Sequence, residues 1–129
     1  MHKTPVATSA APSAIGAYSQ AVSVAAASRM VFLSGQIGLD PATGALVEGG
    51  VEAEAECALR NLAAVLGASG LGLEHVVRAT LYLTDMEDFA RVDALYAARF
   101  PGVAPARVAI GVAALPRGAR FEIDAIACA

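Results

Sequence analysis

Two segments near the end of the chain, Arg107–Ala113 and Arg120–Ala127, alternate their side chains with a period of two, which restricts both to strands. In the first, Val108, Ile110 and Val112 fall on one side and Arg107, Ala109 and Gly111 on the other. In the second, Phe121, Ile123 and Ala125 face away from Arg120, Glu122 and Asp124. Arg107 and Glu122 therefore each lie opposite the bulky residues of their own strand. Ala109 and Gly111 beside Arg107 are small, and small residues around a charge leave space on a sheet face for a ligand.

The same period recurs at His75–Thr84, with Val77, Ala79, Leu81 and Leu83 on one face and Arg78, Thr80 and Tyr82 on the other. Two further strands are predicted at Gln20–Ala25 and Arg29–Gly35. Residues 1–14, interrupted by Pro5 and Pro12, read as an arm or a short edge strand. Asp40–Gly44 is a turn in which Pro41 pre-sets its own φ and Gly44 takes positive φ. From Val51 to Gly67 the period becomes helical, with Ala55, Ala58, Leu62, Val65 and Leu66 on one stripe, Glu56 and Arg60 as an i,i+4 pair, and Gly67 as the stop. Thr84–Glu87 supplies a capping box for a second helix, which carries Phe89, Val92 and Tyr96 inward and ends before Pro101-Gly102. The order β-β-α-β-α-β-β predicts an α+β domain with both helices on one face of a mixed sheet. At 129 residues, the chain is expected to be one domain spanning 1–129.

Apolar residues make up 57% of the chain and charged residues 16%, more apolar surface than a small monomer hides, so an oligomer is expected. No apolar run approaches the roughly 20 residues of a membrane span, and "MHKTPVATSAAP" lacks the layout of a signal peptide, so a soluble, cytoplasmic protein is expected. The net charge is −3 with the cations scattered, which gives no footprint for a phosphate backbone, so no nucleic-acid partner is expected. Cys57 and Cys128 belong to no Cys/His cluster and read as small hydrophobes, and His2 and His75 are isolated, so neither metal nor cofactor is expected. "GASGLGLE" follows a helix and precedes a strand, the reverse of a dinucleotide fingerprint, and "LSGQIG" lacks the Lys-Ser/Thr pair of a phosphate loop. Ser34 has no histidine in its sequence context to activate it.

Arg107 is open to three roles: a solvated charge, a structural partner for a carboxylate, or a clamp for a small anion through its two-pronged guanidinium. Glu122 is open to two, an edge-strand charge that discourages aggregation or a general acid-base group in a dry cleft. Tyr18, in "AIGAYSQA", is either a buried staple or a hydroxyl at a pocket rim.

Four stretches, "AIGAYSQAV", "FLSGQIGLDPATG", "DMEDFARVDALYAARF" and "PARVAIGVAALPRGARFEIDAIA", together resemble the RidA (YjgF) reactive intermediate deaminases over nearly the whole chain. The resemblance implies a chorismate-mutase-like α+β fold, a homotrimer with clefts between subunits, and hydrolysis of 2-imino acids such as 2-iminopropanoate and 2-iminobutanoate to 2-oxo acids and ammonia. It implies that Arg107 binds the substrate carboxylate, that Glu122 lies near the attacking water, and that Tyr18, Ser34 and Gly35 line the cleft. Three positions depart from the family pattern. Ala109 stands where many members carry cysteine, which excludes a thiolate there and leaves a backbone N–H to meet the carboxylate. Asp93 replaces a common asparagine and brings a negative charge that bears on substrate preference. Ala17 replaces a proline, which implies a looser loop. The competing reading is a non-catalytic small-carboxylate-binding or chaperone-like regulatory trimer, which needs Arg107 but not Glu122. RNA cleavage, attached to some relatives, fits poorly with the charge balance and an aromatic content of 5%.

Overall fold

A computed structural model describes residues 1–129. The strands are β1 (His2–Val6), β2 (Ala21–Ala25), β3 (Met30–Ile37), β4 (Val76–Leu83), β5 (Ala106–Gly111) and β6 (Phe121–Cys128); the helices are α1 (Gly50–Ala68) and α2 (Phe89–Arg99). Strands β3 to β6 form a four-stranded mixed sheet in the order β3-β6-β4-β5. Only the β4–β5 pair is parallel, because α2 carries the chain back to the end from which β4 started. The N-terminal arm is strand β1, antiparallel to β2 in a separate two-stranded sheet. The α+β class and the mixed sheet with two helices match the predicted order, but β2, expected in that sheet, pairs with β1 outside it.

Both helices pack against one face of the four-stranded sheet. On α1 the residues Val51, Ala55, Ala58, Leu59, Leu62 and Leu66 are buried, and they meet Leu81, Leu83, Phe121 and Ile123 of the sheet together with Val92 and Tyr96 of α2. Each large side chain so buried contributes about 1.5–3 kcal/mol of transfer free energy. Val65, expected on the inner stripe, is 41% exposed, and Leu59 takes the inward position instead. Glu56 reaches across to Arg99 of α2 at 2.9 Å, not along its own helix to Arg60. Gly67 lies inside α1. The stop comes at Gly70, which takes φ +74°, while Leu71 N–H donates back to Leu66 O at 2.9 Å.

The cap before the second helix also differs from the expected box. Asp85 accepts from Glu87 N–H at 2.9 Å and caps a single 3-10 turn, Met86–Asp88, ahead of α2. Thr84 instead sends its backbone N–H to Arg120 O at 3.3 Å.

The opposite face of the sheet carries no helix. Phe32 there is 71% exposed, with Met30 and Ile110 also prominent. No helix of the chain is long and apolar enough to cross a membrane.

Candidate functional site

Parallel pairing of β5 with β4 sets Arg107 beside Ala79 and Ala109 beside Leu81, so both residues lie on the helix-covered face. There the guanidinium is wrapped by rings, with Tyr96 centred 5.0 Å away and Tyr18 and Phe89 each 5.4 Å away. Its Nη1 donates to Asp93 Oδ1 of α2 at 2.5 Å, and the arginine side chain is only 3% exposed. The solvated-charge role is therefore gone, and Arg107 is a buried partner of a carboxylate that also lines a cavity. That cavity, ≈ 340 Å³, is bounded by Ile15, Gly16, Tyr18, Phe89, Arg107 and Ala109.

The loop that brings Tyr18 here is pinned by backbone and side-chain bonds. Ser19 N–H donates to Pro105 O at 3.2 Å and Ser19 Oγ to Ala104 O at 2.6 Å, so the loop lies against the start of β5. Gln20 ties the preceding segment by accepting from Thr8 N–H and donating to Pro12 O, each at 2.6 Å. The Tyr18 hydroxyl accepts from Ile15 N–H at 3.4 Å. Below the guanidinium, the buried Tyr96 hydroxyl has no partner within the chain, and burial pushes its pKa up.

Glu122 lies on the other face. Its partner in β4 is Tyr82, whose parity is opposite to that of Ala79, the partner of Arg107. Between Leu33 and Gln36 the β3–β6 register shifts, so Ser34 and Gly35 form a bulge where the chain passes Asp124. A β-carbon at Gly35 would collide with the Glu122 carboxylate and come within 2.8 Å of its Cδ, so glycine is what lets that carboxylate lie across β3. Burial, and secondarily the like charge of Asp124, raise the Glu122 pKa above the ordinary glutamate range. Asp124 in turn accepts from the Tyr82 hydroxyl at 2.7 Å.

The candidates thus form two groups. Arg107, Tyr18 and Ala109 line the cavity, with Asp93 paired to the guanidinium, and Glu122, Ser34 and Gly35 gather on the open face. One chain does not bring the groups together. Asp124 and Tyr82 join the second group unforeseen, although the i,i+2 spacing of Glu122 and Asp124 already put both carboxylates on one face. Phe89 and Tyr96 were legible as an inward stripe of α2, not as the walls of an arginine pocket.

A larger cavity of ≈ 540 Å³ lies elsewhere, between Lys3, Leu73, Glu74, Arg99 and Phe100, and holds none of the candidate residues. Lys3 there donates its Nζ to Val76 O at 2.7 Å, and His75 uses Nδ1 to accept from Gly72 N–H at 3.0 Å. No group of three or more His, Cys, Asp or Glu side chains is placed to hold a metal ion.

An α+β fold with a mixed sheet, an arginine pocket at the edge strand and a glutamate over a Ser-Gly bulge defines a recognisable class. The Endoribonuclease L-PSP family model matches residues 8–129, and the chain belongs to that family, the RidA/YjgF proteins. It is 60% identical to the protein DfrA of Myxococcus xanthus over 117 residues, 91% of this chain and 88% of that one. It is 52% identical to the 2-iminobutanoate/2-iminopropanoate deaminase of Mus musculus over 122 residues, 95% of this chain and 88% of that one. Among solved structures, RidA from an Antarctic Psychrobacter superposes with a TM-score of 0.76 at 41% identity, covering 98% of this chain and 99% of that one.

Proposed function

We propose that this protein is an imine deaminase, hydrolysing 2-imino acids such as 2-iminopropanoate and 2-iminobutanoate to 2-oxo acids and ammonia in sites formed between the subunits of a homotrimer. The observation that carries the reading is the buried Arg107 guanidinium opening onto a small cavity, in a chain about half identical to a deaminase of that name. Arg107 anchors the substrate carboxylate, and Tyr18 stands at the rim. Glu122 takes a proton from water as the water oxygen bonds to the imine carbon. Glu122 returns that proton to the nitrogen of the resulting tetrahedral carbinolamine, the C–N bond breaks as ammonia leaves, and the hydroxyl gives up its proton, which the released ammonia carries away as ammonium, while the C=O bond forms. The Ser34–Gly35 bulge seats the Glu122 carboxylate that takes the water's proton. An imine is already electrophilic, so holding it, delivering water and relaying protons between water and nitrogen are sufficient.

Arg107 and Glu122 lie on opposite faces of one sheet, so a site using both draws them from two copies of the chain. Association over the open face also covers Met30, Phe32 and Ile110. The test is Glu122→Gln, which keeps shape and hydrogen bonding but cannot accept the water's proton. With 2-iminopropanoate generated in situ, pyruvate formation should fall by about 100- to 10,000-fold. Binding of 2-oxobutanoate should persist. Turnover at the parental rate would remove Glu122 from the reaction.

A further inference from the structure

The ≈ 540 Å³ cavity beside β1 is larger than the Arg107 cavity and shares no lining residue with it. Its size falls within the roughly 300–1,000 Å³ of small-molecule pockets. Ala63 of α1 with Leu73, Phe100 and Val103 gives it apolar walls, and the charged side chains that line it are Lys3, Glu74 and Arg99. Two of these charges are already answered. Arg99 Nη2 pairs with Glu56 Oε2 at 2.9 Å, and the Glu74 side chain is 74% exposed, so water screens its carboxylate. Lys3 is different. Its Nζ donates to Val76 O at 2.7 Å and to Glu74 O at 3.2 Å, which spends two of its three N–H bonds on carbonyls and leaves the third. Carbonyls satisfy donors but do not neutralise an ammonium, and no carboxylate of the chain forms an ion pair with this one. Burial lowers the Lys3 pKa, and the Glu74 charge only partly opposes that shift. An anion at Nζ supplies the missing countercharge.

We infer that this cavity is a second ligand site, which takes a small carboxylate with an apolar body, the carboxylate on Lys3 Nζ and the body between Leu73, Phe100 and Val103. A neutral or cationic ligand with the same body gains the apolar contact without the ion pair and is held less well. Ala63 is the small residue of α1 that leaves the space open. Neither Arg107 nor Glu122 lines the cavity, so the site stands apart from the proposed reaction.

The experiment titrates the full-length protein, in its native assembly, with hexanoate, hexanol and hexylamine while the methyl resonances of Leu73 and Val103 are followed by NMR. Hexanoate is expected to shift both resonances to saturation, and the other two ligands to bind more weakly. Lys3→Met is expected to weaken hexanoate by about tenfold or more, the factor that one charge-assisted hydrogen bond supplies, and to leave hexanol unchanged. Lys3→Gln, which can still donate to a carbonyl, should lose the same factor, so that charge is separated from the tie between β1 and β4. Ala63→Phe fills the cavity and should abolish the shifts, with Ala63→Leu as the milder variant should melting curves show that phenylalanine unfolds α1. The whole series is repeated on Arg107→Gln, where the shifts should persist because the other cavity is not involved. No saturable shift with hexanoate overturns the inference, as does hexanol or hexylamine binding as tightly. Unchanged hexanoate affinity in the folded Lys3 or Ala63 variants also overturns it, and loss of the shifts in Arg107→Gln would put the carboxylate in the Arg107 cavity instead.

Discussion

Arg107 is held by an ion pair to Asp93 and by the faces of Tyr18, Phe89 and Tyr96. Lysine keeps the charge but has neither the planar fork nor the stacking surface. Arg107→Lys should therefore weaken binding of 2-oxobutanoate by about 1.5–3 kcal/mol in a calorimetric titration, with the fold intact. Unchanged affinity would take Arg107 out of the anchoring role. At Glu122 the testable quantity is a pH limb. Its pKa is raised by burial and then by Asp124, and a general base works ionised, so the acid limb of kcat/KM should lie above the ordinary glutamate range. Asp124→Asn removes the like charge and should move that limb to lower pH, and a limb that stays fixed would contradict the assigned cause. The stability sign is consistent with this direction. A carboxyl raised in the folded state contributes stability that is present below its unfolded value and lost as pH rises through the folded one. Alternation revealed both charges and the small residues around Arg107. It could not reveal the Asp93 contact, because the distance from α2 to β5 is set by packing across the core, not by local period.

The bulge in β3 is the element on which the second group depends. Glycine at position 35 lets the Glu122 carboxylate lie across the strand, and any side chain there displaces it. Gly35→Ala is expected to abolish most imine hydrolysis while the far-ultraviolet circular dichroism stays that of the parent. Full activity in this variant would mean that the carboxylate need not occupy its present position. The sequence marked "SGQ" through family resemblance alone, since a bulge is a mismatch between two strands and only the β6 register exposes it. Helix ends were read to within a few residues. Gly67 has the composition of a stop, because glycine is the commonest one, whereas the chain passes through it and uses Gly70, where Leu71 N–H can reach the Leu66 carbonyl. The Thr84–Glu87 motif has the composition of a capping box, but Thr84 is committed to Arg120 through its backbone, so Asp85 caps alone.

At the scale of the molecule, the uneven sheet is what matters. One face is filled by two helices and the other leaves Phe32, Met30 and Ile110 in solvent. Composition anticipated an excess of apolar surface, and the order of elements anticipated a face with no helix. The strand parities add that Arg107 and Glu122 point to different faces, which makes a second copy of the chain a chemical requirement of the proposed reaction. The most direct test mixes the two inactive variants Arg107→Gln and Glu122→Gln in equal amounts, dissociates and reassembles them, and measures hydrolysis of 2-iminopropanoate. If each site takes its arginine from one chain and its glutamate from a neighbour, random reassembly restores both residues in about a quarter of the sites, and activity returns to about a quarter of the wild-type value. A reassembled mixture as inactive as either parent, with subunit exchange verified by mass, would contradict a site shared between chains.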